Sequence, residues 1–509
     1  MKQNGLYVSC FLYSLICAVE LGVILFLNTG HFTFSLDDPY IHFSIAEGIR
    51  NGVYGINFNE FTAPGSSIIW PFLVALASYI FDPSVFVLTI NFLLGLAILV
   101  CVYTIFKDYI FVQSPEIFNK YWSAIALVYI LLSNLVGLVF VGMEHSLQVF
   151  LAVYVLYRLL AFEKGEPLTR FFWIALCGLP LVRYECLAFV FPILAYLFYK
   201  KYRVSSVTVG IVVVASLACF SMFLLHNGMH ALPNSVLAKS SLIPNLHPLL
   251  KYPLNLLKNI INPFGWALLF FSVVLLRYFI SNRNPLACVF CLAGFGHLVA
   301  GQLWWYGRYE TYLLVTLSIV TVYLYQENVV AWLSHRRDRR KKLIIPSVLM
   351  CIPSLFIVVT IPLGAHGIYL QNVQLHKLAT QYHQGSVAIH DIGLASYKND
   401  HYVLDLWGLA NKEALDYRRT VSRSDTAWVK ELVDKHQVNL IWLTHGWFKS
   451  VPQEWIKVAT FHRNDFTYAI PGVGAVSLYA RTPESVSGIV TSLKAWKSEL
   501  IEPSVLEFH

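Results

Sequence analysis

A series of long apolar segments recurs from residue 6 to residue 363, and it constrains the fold more than any other feature. A helix needs about 20 predominantly apolar residues to cross a bilayer. The first segment, 6–28, reaches this length and is longer than the core of a cleaved signal peptide, so we expect it to be retained. Of the 509 residues, 57% are hydrophobic and 13% are charged, whereas soluble proteins carry about 25% charged residues. The sequence therefore predicts a polytopic α-helical membrane protein.

Loop charge indicates which segments cross the membrane, because cytoplasmic loops collect Lys and Arg. Basic residues cluster at 158–170, 200–203, 277–283 and, most strongly, 335–342. These loops share the side of the N terminus only if one early segment does not cross. We select 66–81, which is short and contains Pro71, as an interfacial or re-entrant helix. About 11 transmembrane helices remain, at 6–28, 84–106, 121–141, 146–162, 171–182, 186–199, 206–226, 263–280, 286–303, 309–326 and 343–363.

The formal net charge of +8 arises largely from these loops. It therefore indicates orientation in the membrane, and we expect membrane lipids and no nucleic acid as partners. The nine cysteines all precede residue 352, so the C-terminal part carries no disulfide framework. Cys288 and Cys291 form a CxxC inside an apolar segment, where a zinc site is not expected.

Two domains are predicted, a transmembrane domain at 1–363 with an external loop at 29–81, and a soluble α/β domain at 364–509. In the second domain, strands are expected at 386–390, 403–406, 439–443 and 472–479. A helix is expected at 425–435 with Ser424 as its cap. The charge pattern places this domain outside the cytoplasm.

Two adjacent carboxylates, Asp37 and Asp38, follow the first predicted span by about ten residues. Pro39 favours the first turn of a helix, so Asp38 is expected to act as its cap. The alternative to a catalytic pair is that Asp38 only caps this helix and Asp37 is solvated.

The wider loop resembles the first external loop of GT-C membrane glycosyltransferases. It is most similar to the mycobacterial terminal arabinofuranosyltransferases and their bacterial relatives. The chain departs from their pattern at Pro39, at His42-Phe43-Ser44, and in a longer interval from Pro64 to Trp70. The matching residues are Asp37-Asp38, Tyr40-Ile41, Phe58-Asn59, Glu60, Thr62, Pro64 and Trp70.

Further polar turns resemble motifs of the same family, in the same order along the chain. They all lie on the external side of the predicted topology, where their ionisable residues could converge on one cavity. These turns are Gly142-Met-Glu-His145, Arg183-Tyr-Glu185, Pro233-Asn-Ser, Ala238-Lys239, Trp304-Trp-Tyr306 with Arg308, Asp391-Ile-Gly393 and Val403-Leu-Asp-Leu-Trp-Gly-Leu409.

The resemblance implies a glycosyltransferase of the bacterial inner membrane. It would move a sugar from a polyprenyl-phosphate donor to a glycan, lipid or protein acceptor. A direct displacement from the donor would invert the anomeric centre. A carboxylate must take the acceptor proton, and the resemblance implies that Asp37 or Asp38 does so. Cations must hold the phosphate, and the candidates are Arg308, Lys239 and Arg183.

Other site residues have two interpretations. Glu144 is a second acid or an ion-pair partner of Arg183, and Glu185 is equally compatible with a structural role. Tyr40 and Tyr306 are candidates for substrate binding. With Trp304 and Trp305, Tyr306 forms either an interfacial belt or a platform for a sugar. Asp391 and Asp405 are expected to organise turns rather than to act in catalysis.

No cofactor is firmly indicated by the sequence. Four external histidines leave a divalent metal as an alternative, namely His42, His145, His226 and His230. Two rival functions are an O-antigen polymerase or ligase, and a lipid or glycan transporter of the flippase type. Polymerases lack an acidic pair directly after the first helix. Transporters place charges at the bilayer midplane and contain repeats, which this chain does not show.

Overall fold

The computed structural model describes residues 4–240, 248–334, 337–421, 425–444, 447–448, 450–468 and 475–509. At 4, 239–240, 248–249 and 337–343 it describes the backbone alone. The predicted cap Ser424 and the start of the predicted strand at 472–479 lie outside the described residues, as do the side chains of the basic run 335–342.

Helices dominate the described chain. The first ten are α1 Asn4–Leu27, α2 Asp38–Arg50, α3 Ile69–Ala77, α4 Pro83–Ile105, α5 Pro115–Leu132, α6 Leu135–Val141, α7 His145–Glu163, α8 Arg170–Val182, α9 Leu187–Tyr199 and α10 Arg203–His226. The others are α11 Asn234–Ser240, α12 Pro248–Ile261, α13 Pro263–Asn282, α14 Pro285–Ala300, α15 Thr311–Leu324, α16 Gln326–Ser334, α17 Arg337–Ile368, α18 Gln374–Lys377, α19 Gly393–Ser396, α20 Lys412–Thr420, α21 Ala427–Lys435 and α22 Pro483–Lys497. Single π-helical or 3₁₀ turns lie at Phe106–Ile110, Tyr184–Cys186, Tyr369–Val373 and Leu378–Tyr382.

Within the described ranges, seven helical segments are long and apolar enough to cross a membrane. They are Gly5–Leu27, Pro83–Ile110, Pro115–Val141, His145–Glu163, Arg203–His226, Pro263–Asn282 and Ile344–Tyr382. The helices α15 and α16, inclined to each other by 77°, are together long and apolar enough to cross as one broken span. The membrane class is therefore confirmed.

The predicted number of 11 spans is not confirmed. Three of the predicted spans are shorter apolar helices, Arg170–Val182, Tyr184–Tyr199 and Pro285–Ala300. Pro180 lies inside α8 and Pro192 inside α9. The predicted non-crossing segment 66–81 contains the nine-residue helix α3, which is too short to span. Its interfacial position stays a prediction.

The chain divides into two compact units. The first consists of Met1–Gly22, Val87–Ala218 and His247–Thr360. The second consists of Val23–Phe86, Cys219–Leu246 and Ile361–His509. The predicted loop 29–81 and the predicted C-terminal domain thus belong to the same unit, and one buried apolar cluster contains Ile41 and Ile45 of α2 together with Ile389, Trp442 and Trp496.

The second unit contains a six-stranded mixed sheet in the order β2-β1-β3-β5-β4-β6. β1 pairs in parallel with β2 and β3, and the remaining pairings are antiparallel. The strands are β1 Val387–Ile389, β2 Val403–Asp405, β3 Leu440–Thr444, β4 Ile456–His462, β5 Ala475–Ala480 and β6 Val505–Phe508.

Four strands and helix α21 occur where the sequence predicted them, whereas β4 and β6 were not predicted. The sequence of β4, Ile-Lys-Val-Ala-Thr-Phe-His, has β-branched and aromatic residues that could have indicated a strand. β6 has only four residues at the edge of the sheet, which is too short for a clear pattern. The α/β character of the C-terminal part is thus present in the structure.

Candidate functional site

The acidic pair lies at the N terminus of α2, in the second unit. Asp37 occupies the N-cap position and Asp38 is the first helical residue, so the predicted cap, Asp38, is wrong by one position. Pro39 lies in the first turn as expected, because its fixed φ suits that position. The Asp37 side chain makes no capping bond to α2. It is therefore available to other partners.

Those partners come from the turn that follows β1. The backbone N–H of Gly393 donates to Asp37 Oδ2 at 2.6 Å, and the N–H of Leu394 donates to Asp37 Oδ1 at 2.9 Å. Asp37 is only 6% exposed, whereas Asp38 is partly exposed. The two neighbouring carboxylates therefore have different environments. Asp37 joins α2 to the start of α19, the segment that follows β1, and Asp38 retains access to solvent.

Asp391 places a second carboxyl group beside that of Asp37. The two side chains share a hydrogen bond, and Asn372 Nδ2 donates to Asp391 Oδ2 at 3.2 Å. Burial, with a smaller effect of the Asp38 charge, raises the pKa of Asp37 to about 6, although its hydrogen bonds from Leu394, Asp391 and Gly393 act in the opposite direction. Burial and the neighbouring Asp37 raise the pKa of Asp391 well above its ordinary value. A bond between two carboxyl groups requires a proton, which these shifts place on Asp391.

Gly393 is required by this arrangement. A Cβ atom on Gly393 would overlap the backbone oxygen and the carboxylate of Asp37. The glycine of the Asp391-Ile-Gly393 motif therefore permits the close approach of two backbone segments. The sequence singled out this motif, but it contained no signal that Asp37 is its partner.

Asp405 organises a turn, as predicted. Its carboxylate accepts hydrogen bonds from the N–H of Trp407 at 2.7 Å and of Ala410 at 2.6 Å. Burial raises its pKa to about 6, although these backbone bonds act in the opposite direction. Asp405 thus fixes the chain that leaves β2.

Two further candidates lie in the second unit. Tyr40 is buried, and its hydroxyl accepts a hydrogen bond from the N–H of Phe34 at 3.3 Å. This contact gives it a structural role, and its substrate role stays a prediction. The backbone of Lys239 lies in α11, but its side chain is outside the described residues.

In the first unit, Arg183 forms ion pairs with two carboxylates. Its Nη1 lies 2.9 Å from Glu144 Oε1, and its Nε lies 2.8 Å from Glu185 Oε1. Glu144 is fully buried and Arg183 is 4% exposed. Of the two interpretations of Glu144, its geometry is that of an ion-pair partner. Because two carboxylates already balance its charge, Arg183 is a weaker phosphate candidate than the sequence suggested.

Arg308 lies close to this ion-pair cluster through a tyrosine. Its Nη2 donates to the Tyr309 hydroxyl at 3.0 Å, and the Arg183 guanidinium lies 5.1 Å from the centre of the same ring. Arg308 is 2% exposed. The structure thus brings together the predicted residues Glu144, Arg183 and Arg308 around Tyr309, which the sequence did not single out.

The turn before Arg308 has an uncommon backbone. Trp304, Trp305, Tyr306 and Gly307 have φ values of 84°, 57°, 62° and 58°. The left-handed conformation costs non-glycine residues about 1–2 kcal/mol each. The turn is held by Asn134, whose Nδ2 donates to the Tyr306 carbonyl at 2.6 Å. Strain of this kind is typical of functional sites, where surrounding structure maintains it.

The aromatic side chains of this turn differ in exposure. Trp304 is 40% exposed and Trp305 is 36% exposed, whereas Tyr306 is buried. The two tryptophans thus fit either an interfacial belt or a platform, and both interpretations stay open. The buried Tyr306 fits a structural role in the turn, and its substrate role stays a prediction.

The predicted histidines do not assemble a metal site in the described part of the chain. There, no group of three or more His, Cys, Asp or Glu side chains is arranged to hold a metal ion. His230 instead forms a pair with Asp416, at 3.1 Å between Nε2 and Oδ1.

The chain is similar to two structures of the Archaeoglobus fulgidus oligosaccharyltransferase. To the apo form it is 11% identical, over 94% of this chain and 77% of that chain, with a TM-score of 0.45. To the complex with Zn and sulfate it is 10% identical, over 96% and 74%, with a TM-score of 0.46. No curated protein sequence matches the chain. Residues 366–479 match the family described as "Domain of unknown function (DUF8728)".

Proposed function

We propose that the protein is a membrane glycosyltransferase that uses a polyprenyl-phosphate sugar at the outer face of a bacterial inner membrane. One observation carries the proposal. In the acidic pair, Asp37 is fixed by the N–H groups of Gly393 and Leu394, while its neighbour Asp38 is partly exposed. This is the arrangement expected of a positioned general base beside a group that holds it in place.

Asp38 is the general base in this proposal. Its carboxylate takes the proton of an acceptor hydroxyl as that oxygen bonds to the anomeric carbon of the donor. The bond from this carbon to the phosphate oxygen breaks, and polyprenyl phosphate leaves. Direct displacement inverts the anomeric centre. A well-placed base contributes about 10²–10⁴-fold to the rate.

Asp37 is a positioning residue. Its carboxylate bonds fix the first turn of α2 against the turn after β1, and therefore fix the backbone of Asp38. Its buried position and its bond to Asp391 make it less suited to receive a substrate proton than its neighbour. This assignment distinguishes two residues that the sequence left equivalent.

The leaving phosphate is assigned to Arg308. A guanidinium stabilises developing negative charge on phosphate oxygens, and it can bind two of them at once. Arg183 instead balances Glu144 and Glu185, and it orients Tyr309 beside Arg308. Lys239 is retained as a second phosphate candidate because the sequence motif contains it. The acceptor is a glycan, a lipid or a protein.

Sugar transfer in membranes that contain the protein tests the proposal. The donors are radiolabelled polyprenyl-phosphate sugars, and the variants are Asp38→Asn, Asp37→Asn and the exposed control Asp400→Asn. Asp38→Asn should abolish transfer at normal protein levels, and Asp400→Asn should match the wild type. Undiminished transfer by Asp38→Asn would show that Asp38 is not the general base. Absence of transfer by the wild type from every donor would favour the transporter alternative.

A further inference from the structure

The segment between α1 and α2 is fastened to the last turns of α17. We call residues 28–35 of this segment the strap. Thr33 Oγ1 donates to the Ala365 carbonyl at 2.8 Å, and Ser35 Oγ donates to the Ile361 carbonyl at 3.2 Å. Residues four apart lie on one face of a helix, so both bonds hold the strap against the same face of α17.

His366 holds the first residue of the strap. Its Nδ1 lies 3.1 Å from Asn28 Oδ1, and its Nε2 lies 3.1 Å from Asp465 Oδ2. Asn28 is completely buried and the side chain of His366 is 12% exposed, so these contacts are largely shielded from water. One imidazole ring thus joins the strap to the segment that follows β4.

The partners of His366 determine its protonation state. The single hydroxyl proton of Thr33 is donated to the Ala365 carbonyl, so Thr33 accepts from Asn28 Nδ2 at 3.2 Å. The oxygen of the Asn28 amide therefore faces His366, and it can only accept. The hydrogen bond from His366 holds the pKa of Asp465 below its ordinary value, although burial acts in the opposite direction, so Asp465 accepts as a carboxylate. Both ring nitrogens must then donate, which requires the imidazolium.

Asp465 is the charged partner of this imidazolium. Among the described residues, no other carboxylate lies within ion-pair distance of His366. The strap presents the neutral amide of Asn28 to the ring, while His31 of the strap stacks on Tyr369, with ring centroids 5.7 Å apart. Histidine is the side chain that ordinarily changes charge between about pH 5 and 8, so the network depends on pH in this range.

Loss of one proton from the ring breaks one of its two contacts. A neutral imidazole has one N–H and one accepting nitrogen, and the latter would face the Asn28 oxygen or the Asp465 carboxylate. The strap is then held less firmly. Because Ser35 lies three residues before Asp38, a loosened strap changes the position of the proposed base.

We propose that protonated His366 clamps the strap onto α17 and thereby acts as a positioning residue for Asp38. The positioning role rests on the proposed function, in which Asp38 is the general base. The clamp is closed below the pH at which His366 loses its proton and opens as the pH rises, whereas Asp38 must be deprotonated to act. Transfer should therefore have an upper pH limit set by His366 and a lower limit set by Asp38.

The kcat of His366→Gln, divided by that of the wild type, tests the positioning role. Glutamine is neutral at every pH, so this ratio should rise from about 0.1 at about pH 6 to about 1 at about pH 9. The KM for the donor should stay unchanged, because the base and not the phosphate site is displaced. His462→Gln is the matched control, since His462 forms a more exposed pair with Glu507 in which Nε2 and Oε2 are 3.5 Å apart. Its ratio should stay near about 1 throughout.

Hydrogen exchange of the peptide that contains the strap measures the clamp without sugar transfer. In detergent micelles at about pH 6, the amides of residues 28–38 should exchange faster in His366→Gln than in the wild type. Asp465→Asn, which keeps the histidine but removes its charged partner, should show the same change. His462→Gln should match the wild type. Equal exchange of β3, which is not part of this network, shows that the variants are folded.

The two measurements separate the clamp from the proposed function. A kcat ratio that does not change with pH, or unchanged strap exchange in folded His366→Gln and Asp465→Asn, would overturn the inference alone. A wild type that transfers no sugar, with strap exchange as expected, would overturn the proposed function and support the clamp. No transfer together with unchanged exchange would overturn both.

Discussion

The carboxylate of Asp37 accepts a hydrogen bond from the backbone N–H of Gly393, at 2.6 Å between the two atoms. The residues are separated by 356 positions in the chain. This bond ties the loop after the first helix to the turn after β1. The identity of both residues follows from it, because Asp37 supplies the acceptor and Gly393 leaves room for it.

Gly393→Ala should lower sugar transfer at least tenfold. The new Cβ overlaps Asp37, so the carboxylate must move and the neighbouring Asp38 moves with it. Gly488→Ala is the matched control, since Gly488 lies in α22 and a Cβ there meets no atom within 4 Å. The control should retain activity and gain up to about 1 kcal/mol of stability. Equal activity in the two variants would show that the close approach at Gly393 is not needed.

The hydrogen-bonded carboxyl groups of Asp37 and Asp391 predict a pH dependence of stability. The folded pKa values of Asp37 and Asp391 lie above their ordinary values, so the folded protein binds more protons than the unfolded chain. Their contribution to stability is full below about pH 4 and is lost as the pH rises through the folded values. Asp391→Asn removes one of these protons.

We therefore expect the melting temperature of Asp391→Asn, minus that of the wild type, to become more positive as the pH rises from about 4 to about 8. Asp400→Asn, an exposed control in the same unit, should follow the wild type at every pH. Thermal unfolding in detergent micelles measures the difference. A constant offset between Asp391→Asn and the wild type across this range would be inconsistent with a shared proton.

The buried ion pairs of the first unit predict an order of destabilisation. Arg183→Met leaves Glu144 and Glu185 without their cation and should cost about 3–5 kcal/mol. Glu144→Gln should cost less, because Arg183 keeps Glu185. Glu413→Gln breaks an exposed pair with Lys435 and should cost less than about 1 kcal/mol. Chemical denaturation of the three variants measures this order, and a larger loss for Glu144→Gln than for Arg183→Met would contradict it.

The left-handed turn before Arg308 predicts that a side chain at Gly307 is not tolerated without a shift of the turn. Gly307 has a φ of 58°, and a Cβ there would lie 2.8 Å from Ile357 Cδ1. Gly307→Ala should therefore shift Arg308 and reduce transfer, with a higher KM for the donor. Gly22→Ala in α1 is the control, since its Cβ meets nothing within 4 Å. If Gly307→Ala had the kinetics of the wild type, the conformation of this turn would not be required for donor binding.

Features with a local signal could be predicted from the sequence. The membrane helices, the acidic pair, four strands and α21 each arise from composition or periodicity within a short segment. The structure also pairs Glu144 with Arg183, which was one of the two interpretations of Glu144 in the sequence analysis. Helix ends were less accessible where the chain bends, because α15 ends at Leu324, within the predicted span 309–326, and the following helix α16 is inclined to it by 77°.

Contacts between distant parts of the chain could not be predicted. Nothing near Asp37 indicates that Gly393 and Asp391 are its partners, since each residue is compatible with an ordinary turn. The sequence therefore could not separate the roles of Asp37 and Asp38. The contact between the rings of Trp407 and Trp447 was missed for the same reason, because the two residues follow different strands, β2 and β3, and meet only in the folded sheet.

The most direct test of the central claim compares transfer by Asp38→Asn and Asp37→Asn, with matched expression and a saturating polyprenyl-phosphate sugar. Loss of the base in Asp38→Asn should reduce kcat by about 10²-fold or more. Asp37→Asn keeps an amide oxygen that can accept one of the two backbone bonds, so it should retain measurable transfer. The opposite order, with Asp37→Asn inactive and Asp38→Asn active, would contradict the account.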